Sequence, residues 1–171
     1  MTMTKTLATV LVAYLLLAGS ALAQTCNNHI LAVAPDSRYA NHGNGTVTDT
    51  ATGLMWKQCS EGLSGPDCGS GSPQNFVWQG ALRHGQGHTF AGYSDWRLPN
   101  INELASLVEE RCSEPAINVT LFPNTPSWFF WSSSPFAYYP ENTWLVGFSH
   151  GYYLDAGRDF GYFVRLVRGG Q

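Results

Sequence analysis

The sequence predicts a small α+β protein, and the order of its secondary-structure signals along the chain carries this prediction. A β-hairpin pattern comes first, two helix-like segments follow, and alternating or two-sided apolar segments fill the C-terminal part. Strands and helices that are grouped along the chain, instead of alternating, are typical of the α+β class. The chain shows no convincing internal repeat.

The first predicted element is the β-hairpin. Residues 44–45 (Asn-Gly) form a strong turn signal, and residues 46–48 read as a short β-branched strand. A second turn at residues 52–53 (Thr-Gly) leads into the returning strand at residues 54–56. The Gly-, Ser- and Pro-rich residues 62–73 are predicted to be a loop.

The first helix is expected over residues 73–84. Ser72 is a suitable N-cap, and Pro73 suits the first helical position because its missing N–H has no partner there in any case. Gly85 or Gly87 is expected to end this helix.

The second helix is predicted to begin at Asn100. Asn100 and Glu103 form an N-x-x-E capping box, in which each side chain can satisfy an otherwise unpaired amide. Residues 109–111 are expected to lie outside its apolar side. That apolar stripe is formed by Ile101, Leu104, Ala105 and Val108.

The corner before the second helix spans residues 92–104 and is the most distinctive string of the chain. Asp95, Trp96 and Arg97 are interpreted as a buried tryptophan with an Asp–Arg pair that orients the corner. Arg165 and Arg168, near the C-terminus, are likewise expected to make structural pairs.

After Cys112 the pattern changes to strands and loops. Residues 128–131 form a short aromatic strand, and the alternation at residues 144, 146 and 148 predicts a half-buried strand. A turn leads to a further strand at residues 152–154. Residues 162–167 are apolar on both faces, which predicts a central strand.

The N-terminus has the pattern of a cleaved secretion signal. Lys5 precedes an apolar stretch at residues 7–17 and an A-x-A cleavage site at residues 21–23. The apolar stretch is shorter than the roughly 20 residues that span a bilayer. We therefore predict a signal peptide at residues 1–23, a single domain at residues 24–171, no membrane insertion after cleavage, and a secreted or periplasmic protein.

All four cysteines lie in the predicted mature chain. An even number of cysteines after an export signal favours two disulfides. Cys59 and Cys68 flank a turn-rich loop that a local bridge would close, and pairing them leaves Cys26 with Cys112. The alternative, a zinc site, has no C-x-x-C pair or close Cys–His spacing to support it.

Charge and motifs argue against several classes of function. The formal net charge is −3 and no basic run occurs, which argues against nucleic acid or an anionic membrane as a partner. His84 and His88 have helical spacing, but the glycines between them favour loop positions. No histidine lies in a recognisable nucleophile or metal motif, so we predict no cofactor, no metal and no enzymatic activity.

Several strings together resemble the Lcl C-terminal domain family of exported bacterial proteins. The resemblance covers most of residues 38–168 and implies a C-type-lectin-like superfold with two helices, a twisted antiparallel sheet and long loops for ligands. It also implies binding to carbohydrate or to a surface. The matching strings are residues 43–49, 52–56, 92–104, 122–125, 131–134 and 164–168.

Related folds suggest two chemistries that this sequence does not support. The superfold includes formylglycine-generating enzymes, whose thiol chemistry requires cysteines near the C-terminal strands, and none occurs after Cys112. Lectin-type calcium binding requires a different motif from residues 140–142 (Pro-Glu-Asn), and a calcium ion needs six to eight oxygen ligands.

The binding candidates lie in turn-rich segments between core-like strands, where loops carry function on a rigid scaffold. Tyrosine faces with short polar side chains suit sugar rings. We expect a non-enzymatic domain that binds carbohydrate or a surface protein. The alternatives are a structural or assembly subunit of an appendage or envelope complex and, third, an exported enzyme; an oligomer is possible. The candidates are Tyr138, Tyr139, Glu141, Asn142, Tyr152, Tyr153, Asp155, Arg158 and Asp159.

Overall fold

The structure is a computed structural model that describes residues 23–169. The predicted signal peptide therefore lies outside the described residues, apart from Ala23. In chain order the elements are β1 (Thr25–Cys26), a 3₁₀ turn (Asp36–Arg38), β2 (Tyr39–Asn41), β3 (Thr46–Asp49), β4 (Met55–Lys57), β5 (Leu63–Ser64), β6 (Ser70–Gly71), α1 (Trp78–Gly85), α2 (Ile101–Ala105), β7 (Cys112–Ser113), β8 (Phe129–Pro135), β9 (Asn142–Gly147), β10 (Tyr152–Gly157) and β11 (Val167–Arg168).

The strands form several antiparallel sheets, so the α+β class is confirmed but the expected single sheet is not. A four-stranded sheet has the order β11-β4-β3-β2, and a three-stranded sheet has the order β10-β9-β8. Two ribbons, β1–β7 and β5–β6, complete the strand pairing. In the part of the chain that the structure describes, no helix is both long and apolar enough to cross a membrane.

The predicted hairpin is confirmed as β3–β4, with Val47 opposite Trp56. The Asn-Gly turn at residues 44–45 joins β2 to β3, and Gly45 has a positive φ of 83° that suits glycine. The Thr-Gly turn at residues 52–53 closes the hairpin itself. Lys57 ends β4 opposite Thr46, which brings it close to the first of these turns.

The helix α1 begins five residues later than predicted, at Trp78 instead of Pro73. The preceding segment is extended because its amides are used elsewhere. The Gln74 amide donates to Glu61 O, and Phe76 forms an antiparallel bridge with Tyr162. Ser72 is therefore not the cap, whereas the predicted end of the helix at Gly85 is confirmed.

The start of α2 is confirmed at Asn100, with both hydrogen bonds of the capping box to Glu103. The expectation that residue 109 lies outside the apolar side was wrong. Glu109 is buried, and its carboxylate accepts hydrogen bonds from the amides of Val33 and Ala34. A carboxylate is stable at this buried position because it accepts hydrogen bonds from backbone amides of the N-terminal arm that have no strand partner.

The corner between residues 92 and 104 contains two ion pairs, and neither is the predicted Asp95–Arg97 pair. Asp95 accepts from Arg168 at 2.7 Å, and Arg97 makes a bidentate pair with Glu103 at 2.7 and 2.8 Å. Trp96 is buried, as predicted. The corner is thus attached to the C-terminus and to α2 by separate contacts.

The last strand is shorter than predicted. Regular pairing is confined to β11, while Tyr162 and Phe163 make only isolated bridges. The apolar pattern of this segment is still two-sided, because Val164 belongs to one buried cluster and Val167 to the other. Val167 pairs with β4 and also bridges Arg97, so it lies between two chain segments.

The two buried clusters lie on opposite faces of β8 and β9. Phe130 pairs with Val146 in the first cluster, and the next pair, Trp131 and Leu145, belongs to the second. Neighbouring pairs along two strands point to opposite faces. β9 is therefore buried on both faces in this part, and the prediction of a half-buried strand was wrong.

Both predicted disulfides are confirmed. Cys26 bonds Cys112 across 86 residues and joins β1 to β7, whereas Cys59 bonds Cys68 across 9 residues and closes the loop that contains β5. The N-terminal arm is thereby attached to the segment that follows α2.

Candidate functional site

The nine predicted binding residues are distributed along the β9–β10 hairpin and its flanking loops. The hairpin has six residue pairs, with Gly147–Tyr152 at its turn end and Asn142–Gly157 at its open end. Since a strand rises about 3.3 Å per residue, the two ends are roughly 17 Å apart. The tyrosines at 138–139 and those at 152–153 consequently lie at opposite ends.

The pairing register determines which face each candidate occupies. Tyr153 pairs with Val146 and Asp155 pairs with Trp144, so these four side chains share one face. Tyr152 points to the other face, where its ring packs edge-on against Phe129 at 5.5 Å. The two neighbouring tyrosines thus present similar areas, 43% and 48% exposed, to opposite sides of the sheet.

Three further aromatic rings extend this face at the open end. The Phe136 ring packs edge-on against Trp144 at 4.8 Å. Tyr138 and Tyr139 lie 5.7 and 5.9 Å from Phe136, with 84% and 57% of their surfaces exposed. These tyrosines continue the face outward from the hairpin.

The polar groups of this face are an amide and a carboxylate. Asn142 Nδ2 donates to Asp155 Oδ2 at 2.7 Å, the only side-chain hydrogen bond of this carboxylate within residues 23–169. We call this surface the aromatic strip. Its residues are Phe136, Tyr138, Tyr139, Asn142, Trp144, Tyr153 and Asp155.

The other candidates lie beside the strip or away from it. Glu141 is exposed next to it, and its carbonyl accepts from the Arg158 amide. The Arg158 guanidinium packs 4.2 Å from the Trp78 ring on the face that α1 covers. Asp159 is exposed in the turn after β10.

The sequence did not identify Phe136 and Trp144 as residues of the aromatic strip. An aromatic residue beside a core strand shows the same apolar pattern in the sequence as a core residue.

A cleft of about 420 Å³ lies elsewhere, between the β2–β3 loop, the end of β4 and the Cys59–Cys68 loop. Amide and hydroxyl side chains line it together with one aromatic ring and one lysine. Its lining residues include Asn41, Asn44, Lys57, Gln58, Ser64 and Phe90.

A cluster of ionisable groups contacts this cleft through Lys57. The Lys57 ammonium lies 2.7 Å from Glu61 Oε1, 3.0 Å from His88 Nε2 and 4.6 Å from the Phe90 ring centre. His84 Nε2 lies 2.7 Å from the other oxygen of Glu61. Burial, together with the Lys57 charge, holds the pKa of His88 below its ordinary value.

Sequence reasoning considered His84 and His88 without the other two residues. The structure corrects the expectation of two loop histidines, because His84 lies in α1 and only His88 lies beyond its end. Glu61 and Lys57 come from a loop and a strand more than 20 residues earlier, and no local signal could have connected them.

The completely buried Arg165 supports the inner side of this region. Its guanidinium donates to Lys57 O, Gln58 O, Ser60 Oγ and Thr125 Oγ1. Burial lowers the pKa of Arg165 to about 9. These contacts confirm a structural role for this arginine, which fixes the backbone that carries Lys57.

Comparison with known proteins identifies the family. A search of the curated proteins finds no match to the chain. A family model described as the Lcl C-terminal domain matches residues 45–168. These residues include the aromatic strip, the cluster of ionisable groups around Lys57 and most of the residues that line the cleft. Because this match spans well over half of the sequence, the chain belongs to the Lcl C-terminal domain family.

Proposed function

We propose that the chain is an exported, non-enzymatic domain of C-type-lectin-like fold that binds carbohydrate through the aromatic strip. The observation that carries this proposal is the continuity of the strip. Exposed tyrosine rings and an Asn–Asp pair follow one another on one face of the β9–β10 hairpin.

The chemistry of the strip suits a sugar. Tyrosine rings present a rigid apolar face and a polar hydroxyl, so they can pack on the C–H face of a pyranose at little entropic cost. Asn142 and Asp155 hold each other in place, and the second carboxylate oxygen can accept a hydrogen bond from a sugar hydroxyl.

The charge of the strip favours a neutral glycan. Glu141 and Asp155 are the ionisable acids at its polar end, and Arg158 is held on the opposite face by Trp78. A sulfated polysaccharide would meet like charges here. We therefore propose a ligand that is rich in hydroxyl groups and carries no sulfate.

Export is supported by the two disulfides, which persist in oxidising compartments outside the cytoplasm. Together with the predicted signal at residues 1–23, they support a secreted or periplasmic location.

An array of neutral, uronic-acid and sulfated oligosaccharides tests the proposal. We expect the wild-type chain to bind neutral members, and Tyr138→Ala to weaken this binding at least about tenfold, as loss of an aromatic contact does. Trp128→Ala is the control, because this tryptophan is 55% exposed but lies beside the turn end of the hairpin. Failure of the wild-type chain to bind any glycan contradicts the proposal.

A second candidate function is an assembly role, and the N-terminal arm favours it. Leu31 is 86% exposed, with Ile30 and Val33 beside it at 45% and 42%. Exposed apolar patches mark interaction sites. An assembly subunit would co-purify with an envelope partner, lose that partner on Leu31→Ser, and show no glycan binding.

A further inference from the structure

The geometry points to a divalent transition-metal site formed by Glu61, His84 and His88, in which the Lys57 ammonium occupies the metal position until an ion displaces it. The site is separate from the aromatic strip, and it extends the proposed function instead of depending on it.

The three ligand groups lie close together in the structure. One ligand atom from each of Glu61, His84 and His88 lies within 4.8 Å of the other two. Ligands of a tetrahedral zinc ion at about 2.0–2.2 Å from the metal are separated by about 3.3 Å. Side-chain rotations that move each ligand atom by about 1 Å would therefore bring the three atoms to the separation of a zinc site.

The backbone that carries these ligands is held in place. The Glu61 amide donates to Val164 O, and its carbonyl accepts from Gln74 N. His84 lies in the last turn of α1, and the His88 amide donates to Gly85 O at 3.2 Å. The ligand positions are thus set by main-chain bonds that metal binding leaves unchanged.

Lys57 already makes the contacts that a metal ion would make. Its ammonium has only donors, so His88 Nε2 must accept the 3.0 Å hydrogen bond and carries no proton on that nitrogen. Glu61 supplies the negative charge at 2.7 Å. One cation is therefore bound by one imidazole nitrogen and one carboxylate oxygen, two of the three proposed ligands.

The cleft gives Lys57 a place to move to. Lys57 lines the cleft next to Phe90, and its four-carbon stem is flexible. A metal ion would replace the ammonium between Glu61 and His88. The hydrogen on His84 Nε2 would move to Nδ1, so that the neutral imidazole binds the ion through Nε2. The displaced ammonium remains protonated in the cleft.

The donor set selects the class of metal. Two imidazole nitrogens with one carboxylate oxygen are typical ligands of zinc and neighbouring transition metals. Calcium and magnesium prefer oxygen ligands alone, so they are expected to bind poorly.

Titration of the exported form, with both disulfides intact, tests the site with Zn²⁺ by calorimetry and with Co²⁺ by visible absorption. We expect one ion per chain, and a loss of affinity of at least about tenfold in His84→Ala and in His88→Ala. His150→Ala is the control, because His150 also lies near a glutamate, Glu114, at 3.8 Å.

Lys57→Met tests the displacement. Removing the competing ammonium should tighten Zn²⁺ binding about tenfold and let Zn²⁺ raise the melting temperature of this variant. Absence of Zn²⁺ binding in both the wild type and Lys57→Met, or binding that neither histidine variant weakens, overturns the site. Unchanged affinity in Lys57→Met overturns the displacement by the metal.

Discussion

At the scale of single residues, Asp49 is a buried carboxylate that joins two turns of the N-terminal half. It accepts from Arg38 Nε and Nη2 at 2.8 and 2.5 Å. The Ala51 amide and the Thr52 hydroxyl donate to it at 3.0 and 2.8 Å. Burial alone would raise the pKa of Asp49, but these hydrogen bonds outweigh it and hold the pKa below its ordinary value.

We predict that Asp49→Asn lowers the free energy of unfolding by about 3 kcal/mol at pH 7, because it leaves the Arg38 guanidinium without its charge partner. The native pKa of Asp49 is depressed, so its contribution is present above its unfolded pKa of about 4 and is lost as the pH falls through the native value. Urea unfolding at several pH values should show the difference between wild type and variant shrinking below pH 4.

Asp159→Asn is the matched control, because this aspartate is exposed and should change stability by no more than about 0.5 kcal/mol. A deficit in Asp49→Asn that stays constant down to pH 2 would contradict the role given to the ionised carboxylate.

Residue-level predictions from the sequence succeeded where the partners are close along the chain. The capping box at Asn100 was predictable because its partner, Glu103, is three residues away. The partner of Asp95 was not predictable from the sequence, because Arg168 is 73 residues away along the chain. Long-range ion pairs depend on the tertiary fold and leave no local pattern.

At the scale of elements, the last residue of α1 is fixed by close packing against the 92–104 corner. A Cβ at Gly85 would lie 3.0 Å from Arg97 Cα and 3.0 Å from the Leu98 amide nitrogen. A Cβ at Gly80, in the middle of the same helix, would meet only Val77 Cγ2 at 3.5 Å. The two glycines of one helix therefore have different roles.

We predict opposite effects of alanine at these two positions. Gly80→Ala should stabilise the protein by up to about 1 kcal/mol, as expected for a helix interior. Gly85→Ala should destabilise it by about 1–3 kcal/mol, because backbone atoms must move. Denaturant midpoints measure both; a Gly85→Ala variant as stable as the wild type would show that α1 does not pack this closely.

The start of α1 and the last strand show where element prediction reached its limit. Ser72 and Pro73 are good helix-start signals, but the segment after them pairs with Tyr162 instead. The same pairing interrupts the predicted strand at residues 162–167. Each mistake has one physical cause, namely that a distant segment competed successfully for backbone hydrogen bonds.

At the scale of the whole molecule, the two disulfides differ in the length of chain that they close. The Cys26–Cys112 bridge spans 86 residues and the Cys59–Cys68 bridge spans 9. Their pairing was predictable because only one turn-rich loop lies between two nearby cysteines. The sequence could not predict how the nine binding candidates are distributed over two faces and two ends of the hairpin, because that distribution depends on the β9–β10 register.

We predict that removing the longer bridge costs more stability. Loop-closure entropy gives about 4–5 kcal/mol for the Cys26–Cys112 bridge and about 3 kcal/mol for the Cys59–Cys68 bridge. Double alanine variants compared by denaturant unfolding test the order. A larger loss of stability from removing the shorter bridge would contradict this order. Peptide mapping of the wild type without reductant should find both disulfide-linked peptides and no free thiol.

The central claim, that one face of the β9–β10 hairpin binds carbohydrate, is tested most directly by two neighbouring tyrosines. Tyr152 and Tyr153 have similar exposure but point to opposite faces. For a neutral oligosaccharide bound by the wild type, we predict that Tyr153→Ala raises Kd at least about tenfold, which is about 1.4 kcal/mol. Tyr152→Ala should leave Kd within about twofold of wild type, a change of about 0.4 kcal/mol. Equal losses in both variants, or a loss confined to Tyr152→Ala, would contradict the claim.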